Sequence, residues 1–170
     1  MTRLGGPRTL FLAAAALALG VVGVALYTQH ALGMLPCPWC VLQRLIFVVA
    51  GAVALLGAAL SGPGSGLGGG LARRRVFAAM LLLGATAGMA AALWQHFVAA
   101  SNTSCKLTLA DRIMSASGLD AWLPDVFAAW ATCADAAVKL LGLPYEAWSL
   151  AAFVLLGAAA VRLLRLPAQR

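Results

Sequence analysis

The stretch LPCPWCVLQRLIFVVAGAVALLGAAL, residues 35–60, joins a Cys-x-x-Cys pair to a long apolar run whose single charged residue is Arg44. A helix of about 20 apolar residues crosses the hydrocarbon core of a bilayer, so this run predicts a transmembrane helix. The whole chain is 63% hydrophobic and 10% charged, with a mean hydropathy of +0.94. That composition leaves too little polar surface for a water-soluble globule, and the sequence therefore predicts a membrane protein.

Three further apolar segments are long enough to cross a bilayer. The four predicted spans are residues 10–32, 41–60, 76–98 and 148–166. None of them alternates apolar and polar residues as barrel strands do, and backbone groups cannot stay unpaired in lipid. We therefore predict an all-α membrane protein, with residues 1–170 forming one four-transmembrane-helix bundle. The alternative for the first span is a cleaved signal peptide, but its uncharged run is longer than such peptides use.

The distribution of charge predicts the orientation of the bundle. Eight arginines flank the spans on one side, namely Arg3, Arg8, Arg73, Arg74, Arg75, Arg162, Arg165 and Arg170. All five acidic residues lie in the loop between the third and fourth spans, namely Asp111, Asp120, Asp125, Asp135 and Glu146. Basic residues collect on the cytoplasmic side, so both termini and loop 61–75 are expected there, and loop 99–147 in the periplasm. The net charge of +7 is then a topology signal, and no nucleic-acid partner is expected.

An apolar stripe of helical period runs through the predicted periplasmic loop. Its members are Leu119, Trp122, Leu123, Val126, Phe127 and Trp130. Such a segment lies flat in the membrane interface with its tryptophans at headgroup depth. Pro124 interrupts the stripe and suits a first helical turn. We therefore predict a short interfacial helix that begins at this proline and tethers the loop.

Gly84 and Gly88 form a Gly-x-x-x-Gly pair in the third predicted span. Small residues at this spacing allow two transmembrane helices to approach closely. We therefore expect a neighbouring helix to pack against this face of the third span.

The chain has four cysteines, Cys37, Cys40, Cys105 and Cys133, and the predicted topology places all of them in the oxidising periplasm. Four cysteines allow three pairings, of which spacing favours Cys37 with Cys40 and Cys105 with Cys133. Three interpretations compete for them. The disulfides could staple the outer loops, the first pair could bind a metal with His30 and His96, or the cysteines could exchange electrons. The histidines lie on different segments without ligand spacing, which counts against the metal site.

The residues around the first pair favour redox exchange. Pro38 suits a first helical turn, which places Cys40 near the positive end of a helix dipole, where a thiolate is stabilised. Arg44 lies four residues after Cys40, so the guanidinium and the sulfur share a helix face. This arrangement predicts a reactive thiol beside a fixed cation, facing a lipid-soluble acceptor. Alternatively, Arg44 could extend to the outer interface as a simple anchor.

The chain has four predicted spans, the motif Cys-Pro-x-Cys-x-x-Gln-Arg at residues 37–44 and a second spaced cysteine pair in the last loop. In these features it resembles the disulfide bond formation protein B (DsbB) family. The resemblance covers nearly the whole chain. It implies that Cys37 and Cys40 pass electrons to a membrane quinone, either ubiquinone or menaquinone. It also implies that Cys105 forms the mixed disulfide with a periplasmic dithiol oxidase of the DsbA type, which has a thioredoxin fold, and that Cys133 relays to Cys37.

The same resemblance implies that Arg44 and His96 lie near the quinone. The predicted function is therefore that of a thiol:quinone oxidoreductase in the bacterial inner membrane. One alternative is a quinone-linked oxidoreductase like vitamin K epoxide reductase, but in that family the Cys-x-x-Cys lies late in the chain. The other is a non-enzymatic membrane scaffold whose disulfides only staple its loops.

Overall fold

The computed structural model describes residues 6–60, 70–99 and 108–167. Four long helices are joined by short elements, and the third long helix continues into a π-helical turn, Gln95–Ala99. In chain order the elements are α1 (Pro7–Leu32), α2 (Pro38–Leu60), α3 (Gly70–Trp94), α4 (Leu109–Ser117), α5 (Leu119–Trp122), α6 (Pro124–Phe127), β1 (Lys139–Leu140), β2 (Leu143–Pro144) and α7 (Tyr145–Arg165). The helices α1, α2, α3 and α7 are each long and apolar enough to cross a membrane, which confirms the predicted fold class.

The long helices extend beyond the predicted spans at their first residues. The largest difference is in α3, which begins at Gly70 and not at residue 76. The arginines at 73–75 belong to the helix because arginine is a good helix former, although its charge excludes it from the apolar run. At the start of α2, Pro38 occupies the first helical turn, as predicted.

The bundle closes as a ring in which α1 contacts α2, α2 contacts α3, α3 contacts α7 and α7 returns to α1. The interface between α1 and α7 is the least extensive of the four. The rings of Phe47 and Phe153 stack in the core with centroids 3.9 Å apart. The rest of the core is largely alanine and leucine, so the helix backbones lie close together.

One half of the Gly-x-x-x-Gly pair makes the expected close contact. A β-carbon added to Gly88 would lie 2.2 Å from the ring of Phe153, whereas one added to Gly84 would meet nothing within 4 Å. The prediction that a helix packs against this face is confirmed at Gly88, where the neighbour is α7.

We therefore expect Gly88→Ala to destabilise the bundle, because a methyl group there overlaps an aromatic ring that is itself stacked on Phe47. Overpacking of this kind typically costs about 1–3 kcal/mol of unfolding free energy. Thermal unfolding in detergent measures the effect, and Gly84→Ala is the matched control, with an expected stability equal to or above that of the native chain. Equal stability of the two variants would contradict the packing described here.

The segment between α3 and α7 lies over the N-terminal end of α2. Its described part begins with α4, whose N-terminus has a capping box. Asp111 N donates to Thr108 Oγ1, and Thr108 N donates to the Asp111 carboxylate. The helices α4 and α6 both pack on α2. The predicted helix after Pro124 is present as α6, but it ends at Phe127, so Trp130 is not part of it. The location of this segment at the membrane interface remains a prediction.

Candidate active site

The first cysteine pair forms the N-terminus of α2. Val41 N donates to the Cys37 carbonyl at 3.0 Å, so Cys37 directly precedes the helix and closes its first turn. Cys40 N donates to Cys37 Sγ at 3.3 Å, and the two sulfurs lie 2.8 Å apart. The side chain of Cys37 is completely buried. The two cysteines are therefore close enough to form a disulfide, and the first sulfur has no direct access to solvent.

The third described cysteine, Cys133, reaches the same place from the segment that follows α6. Trp130 N and Ala131 N both donate to the Pro36 carbonyl, at 3.0 and 3.3 Å, and so hold this segment against the start of α2. The Cys133 thiol is buried and hydrogen-bonds with that of Cys37. Cys37 thus contacts both Cys40 and Cys133. Cys105 lies outside the described residues, so its predicted pairing with Cys133 remains a prediction.

The thiols of Cys37 and Cys133 differ in the direction of their pKa shifts. Hydrogen bonds with Cys133 and Cys40, together with burial, raise the pKa of Cys37 well above its usual range. The hydrogen bond with Cys37 lowers the pKa of Cys133, although burial of that thiol acts in the opposite direction. Of these two thiols, Cys133 therefore forms the thiolate, which is the nucleophilic form, more readily than Cys37.

Gln95 contacts the Cys40 sulfur, and sequence reasoning missed it. Its Nε2 donates to Cys40 Sγ at 3.2 Å, and Gln43 Nε2 donates to its Oε1 at 2.6 Å. Both glutamines are buried. Gln95 opens the π-helical turn at the end of α3, a kind of helix irregularity that is frequent at functional sites. The available signal was the presence of two uncharged polar residues inside apolar spans, because such residues need partners there.

Arg44 is held inside the bundle. Its side chain is 5% exposed, and its Nη1 donates to Gln29 Oε1 at 2.9 Å and to the Val126 carbonyl. Its Nε is buried without a hydrogen-bond partner. Within the described ranges no carboxylate pairs with this guanidinium, since the salt bridge found there joins His96 to Glu146. This burial argues against the alternative that Arg44 is a simple interfacial anchor.

A cavity between α1, α2 and α7 contains both Cys40 and Arg44, which the helical spacing predicted to share a face. Its remaining lining includes Thr28, Gln95 and Tyr145. The enclosed free space is about 50 Å³, which suffices for a few water molecules. Of the helix interfaces that border this cavity, the one between α1 and α7 is the least extensive.

A second, larger opening lies on the other side of the cysteines. It is a groove of about 1150 Å³ between α2, α3 and the segment from α4 onward. Cys133 lines it, together with Trp39 and Trp94, whose ring centroids are 6.2 Å apart. The buried Cys37 thus lies between a groove that reaches Cys133 and a cavity that reaches Cys40.

The structure does not bring His96 to the cavity. Its Nδ1 lies 2.8 Å from Glu146 Oε1, and its side chain is 47% exposed, while the preceding residue, Gln95, points inward to Cys40. The assignment of His96 to a quinone site therefore remains a prediction without geometric support.

The metal site considered for the first cysteine pair also involved His30. This histidine contacts the Leu26 carbonyl of its own helix. In the part of the chain that the structure describes, no three His, Cys, Asp or Glu side chains are grouped to hold a metal ion.

Comparison with known proteins gives consistent matches over nearly the full length. The family model described as disulfide bond formation protein DsbB matches residues 7–163. Disulfide bond formation protein B 1 of Pseudomonas aeruginosa is 35% identical over 166 residues, which cover 95% of this chain and 98% of the relative. The disulfide bond formation protein B of Aromatoleum aromaticum is 36% identical and covers 92% of both chains. That of Stutzerimonas stutzeri is 34% identical over 89% of this chain and 91% of its own.

Proposed function

The chain belongs to the DsbB family of disulfide bond formation proteins, and on this premise we propose that it is a membrane thiol:quinone oxidoreductase. It reoxidises a dithiol oxidase of the DsbA type and passes the electrons to a membrane quinone. The observation that carries the proposal is the position of Cys37 between Cys133 and Cys40, with a separate opening beside each of the outer two sulfurs. In the proposed orientation this end of the bundle faces the periplasm across a bacterial inner membrane, and both termini are cytoplasmic.

The relay begins with thiol–disulfide exchange, in which a thiolate attacks a disulfide sulfur. A thiolate of the reduced partner attacks Cys105 of the Cys105–Cys133 disulfide and releases Cys133 as a thiolate. Cys133 then attacks Cys37 of the Cys37–Cys40 disulfide. The Cys133–Cys37 bond forms, the Cys37–Cys40 bond breaks, and its electron pair remains on Cys40.

The remaining steps restore the resting loop. The second partner thiol attacks the partner sulfur bound to Cys105, which frees the partner as a disulfide and Cys105 as a thiolate. Cys105 then attacks Cys133, re-forms the loop disulfide and releases Cys37. Two electrons now reside on the Cys37 and Cys40 thiols, and the partner has gained one disulfide.

The residues around the cavity fit a quinone ring. The Nε of Arg44 is a buried donor without an acceptor, and a quinone oxygen is a suitable one. Cys40, Arg44 and Gln95 would hold the ring, with the isoprenoid tail in the lipid beside α1 and α7. A quinone bound there accepts two electrons and two protons. The two electrons and two protons would come from the Cys37 and Cys40 thiols, which re-form their disulfide in that step. Gln95 donates a hydrogen bond to the Cys40 sulfur, and Arg44 would stabilise negative charge on oxygen.

The scaffold alternative has less support. A disulfide that only staples loops needs two facing sulfurs, whereas three described cysteines meet at Cys37.

Purified protein tests the proposal directly when it is mixed with a reduced DsbA-type oxidase and a soluble quinone. We expect quinone absorbance to fall in step with the appearance of the partner disulfide, one quinone per disulfide. A Cys40→Ser variant is the control for uncatalysed reduction of the quinone. Partner oxidation without quinone consumption, or equal rates in the native and Cys40→Ser proteins, would contradict the proposed function.

A further inference from the structure

Two buried amide side chains connect α2 to the π-helical turn and end at the Cys40 sulfur. Gln43 Nε2 donates to Gln95 Oε1 at 2.6 Å, and Gln95 Nε2 donates to Cys40 Sγ at 3.2 Å. Both side chains are more than nine-tenths buried, so no bulk water competes for these groups. Arg44, the nearest fixed cation along the helix, uses its Nη1 on Gln29 and Val126 and forms no hydrogen bond with the sulfur in the described structure. Apart from the neighbouring Cys37 thiol, the side-chain donor to Cys40 is therefore Gln95.

The direction of this chain of hydrogen bonds has chemical consequences. An amide side chain has a donor end and an acceptor end, and a half-turn about its last bond exchanges them. When Gln43 donates to the Gln95 oxygen, Gln95 can offer only its NH₂ group to Cys40. A donor facing the sulfur favours the thiolate, whereas an oxygen facing it would favour the protonated thiol.

We infer that Gln43 is a positioning residue that fixes the orientation of the Gln95 amide, so that Cys40 always faces a hydrogen-bond donor. The inference rests on the proposed function, in which Cys40 is the sulfur released when Cys133 attacks Cys37. In that step the Cys37–Cys40 bond breaks and its electron pair remains on Cys40, next to the Gln95 NH₂ group. Gln95 contacts the reacting sulfur directly, while Gln43 acts only through Gln95.

The test measures the reactivity of Cys40 without partner or quinone. The full-length protein is reduced and alkylated at pH 7, and peptide mass spectrometry gives the alkylation rate of Cys40. Gln95→Leu removes the donor and is expected to slow alkylation about tenfold, the typical effect of one hydrogen bond to a charged group. Once ionised, the carboxylate of Gln43→Glu can only accept a hydrogen bond, so it reverses the Gln95 amide and is expected to slow alkylation at least as much. Gln43→Met removes the orienting donor without adding charge and should give a smaller loss.

A double variant separates orientation from direct repulsion by the new carboxylate. If Gln43 acts through Gln95, Gln43→Glu should have almost no further effect in a Gln95→Leu background. Full additivity of the two losses would overturn the inference, because the new charge would then act on the sulfur itself. Native alkylation rates in both Gln43→Glu and Gln43→Met would also overturn it, and thermal unfolding of each variant checks that the bundle is intact. Failure of the wild-type protein to reduce quinone would overturn the proposed function alone, since alkylation requires no quinone.

Discussion

We expect the double variant Cys105→Ser, Cys133→Ser to lose oxidation of the partner protein completely while it still reduces quinone with a small dithiol. In the proposed relay the partner reacts only through the loop pair, so without that pair no electrons from the partner should reach Cys37. A small dithiol can instead attack the Cys37–Cys40 disulfide at Cys40, which is only half-buried and lines the cavity. The measurement compares quinone reduction by the reduced partner and by dithiothreitol in the same preparation.

Cys40→Ser is the matched variant, because it removes the sulfur that faces the cavity and should stop both reactions. If the loop variant lost both activities equally, the two pairs would not act in series. If it lost neither, the partner would react directly with the first pair, and the loop cysteines would have no part in the relay.

The second large effect is expected at Arg44. Reduction of a quinone builds negative charge on its oxygen, and a buried guanidinium with an unpaired Nε stabilises that charge more strongly than it could in water. Loss of one such stabiliser typically costs about 3 kcal/mol, or roughly a hundredfold in rate. We therefore expect Arg44→Ala and Arg44→Gln to slow quinone reduction by about this factor, with Arg44→Lys retaining part of the activity because it keeps the charge but not the planar fork.

Arg74 provides a control at the opposite end of the bundle from Arg44, near the start of α3. It is also a buried arginine with an unpartnered Nε, and its guanidinium donates to the carbonyls of Leu166 and Pro167. Arg74→Ala should therefore lower stability without a specific loss of quinone reduction. A native rate and native apparent quinone affinity in Arg44→Ala would show that Arg44 has only a structural role.

The sequence predicts the transmembrane helices, and the position of the Cys-x-x-Cys pair at the start of α2, because both depend on local patterns. A run of apolar residues has to cross the bilayer as a helix, and Pro38 occupies the first turn of α2 regardless of its neighbours. The helix α4 was not predicted, although Thr108 and Asp111 have the spacing of a capping box. The apolar stripe gives no indication of α4, because it begins at Leu119, after α4 has ended.

The inner details of the site depend on tertiary contacts that no local pattern specifies. A π-helical turn changes the direction of side chains at the end of α3, so Gln95 faces Cys40 while His96 faces Glu146. Regular α-helical spacing does not predict which of these two adjacent residues faces Cys40. Similarly, Cys133 meets Cys37 only because the segment after α6 hydrogen-bonds to Pro36, far away in the sequence.

The central claim is that electrons pass from Cys133 to Cys37, and selective disulfide formation tests it most directly. In a Cys40→Ser, Cys105→Ser variant only Cys37 and Cys133 remain, and their contact predicts a disulfide that forms rapidly with a mild oxidant. In a Cys37→Ser, Cys105→Ser variant the remaining pair is Cys40 and Cys133, with Cys37 no longer between them, and much slower formation is expected. Gel mobility with and without reductant reports both. Rapid formation of Cys37–Cys133 alone supports the relay, whereas equal rates, or a faster Cys40–Cys133 bond, would contradict it.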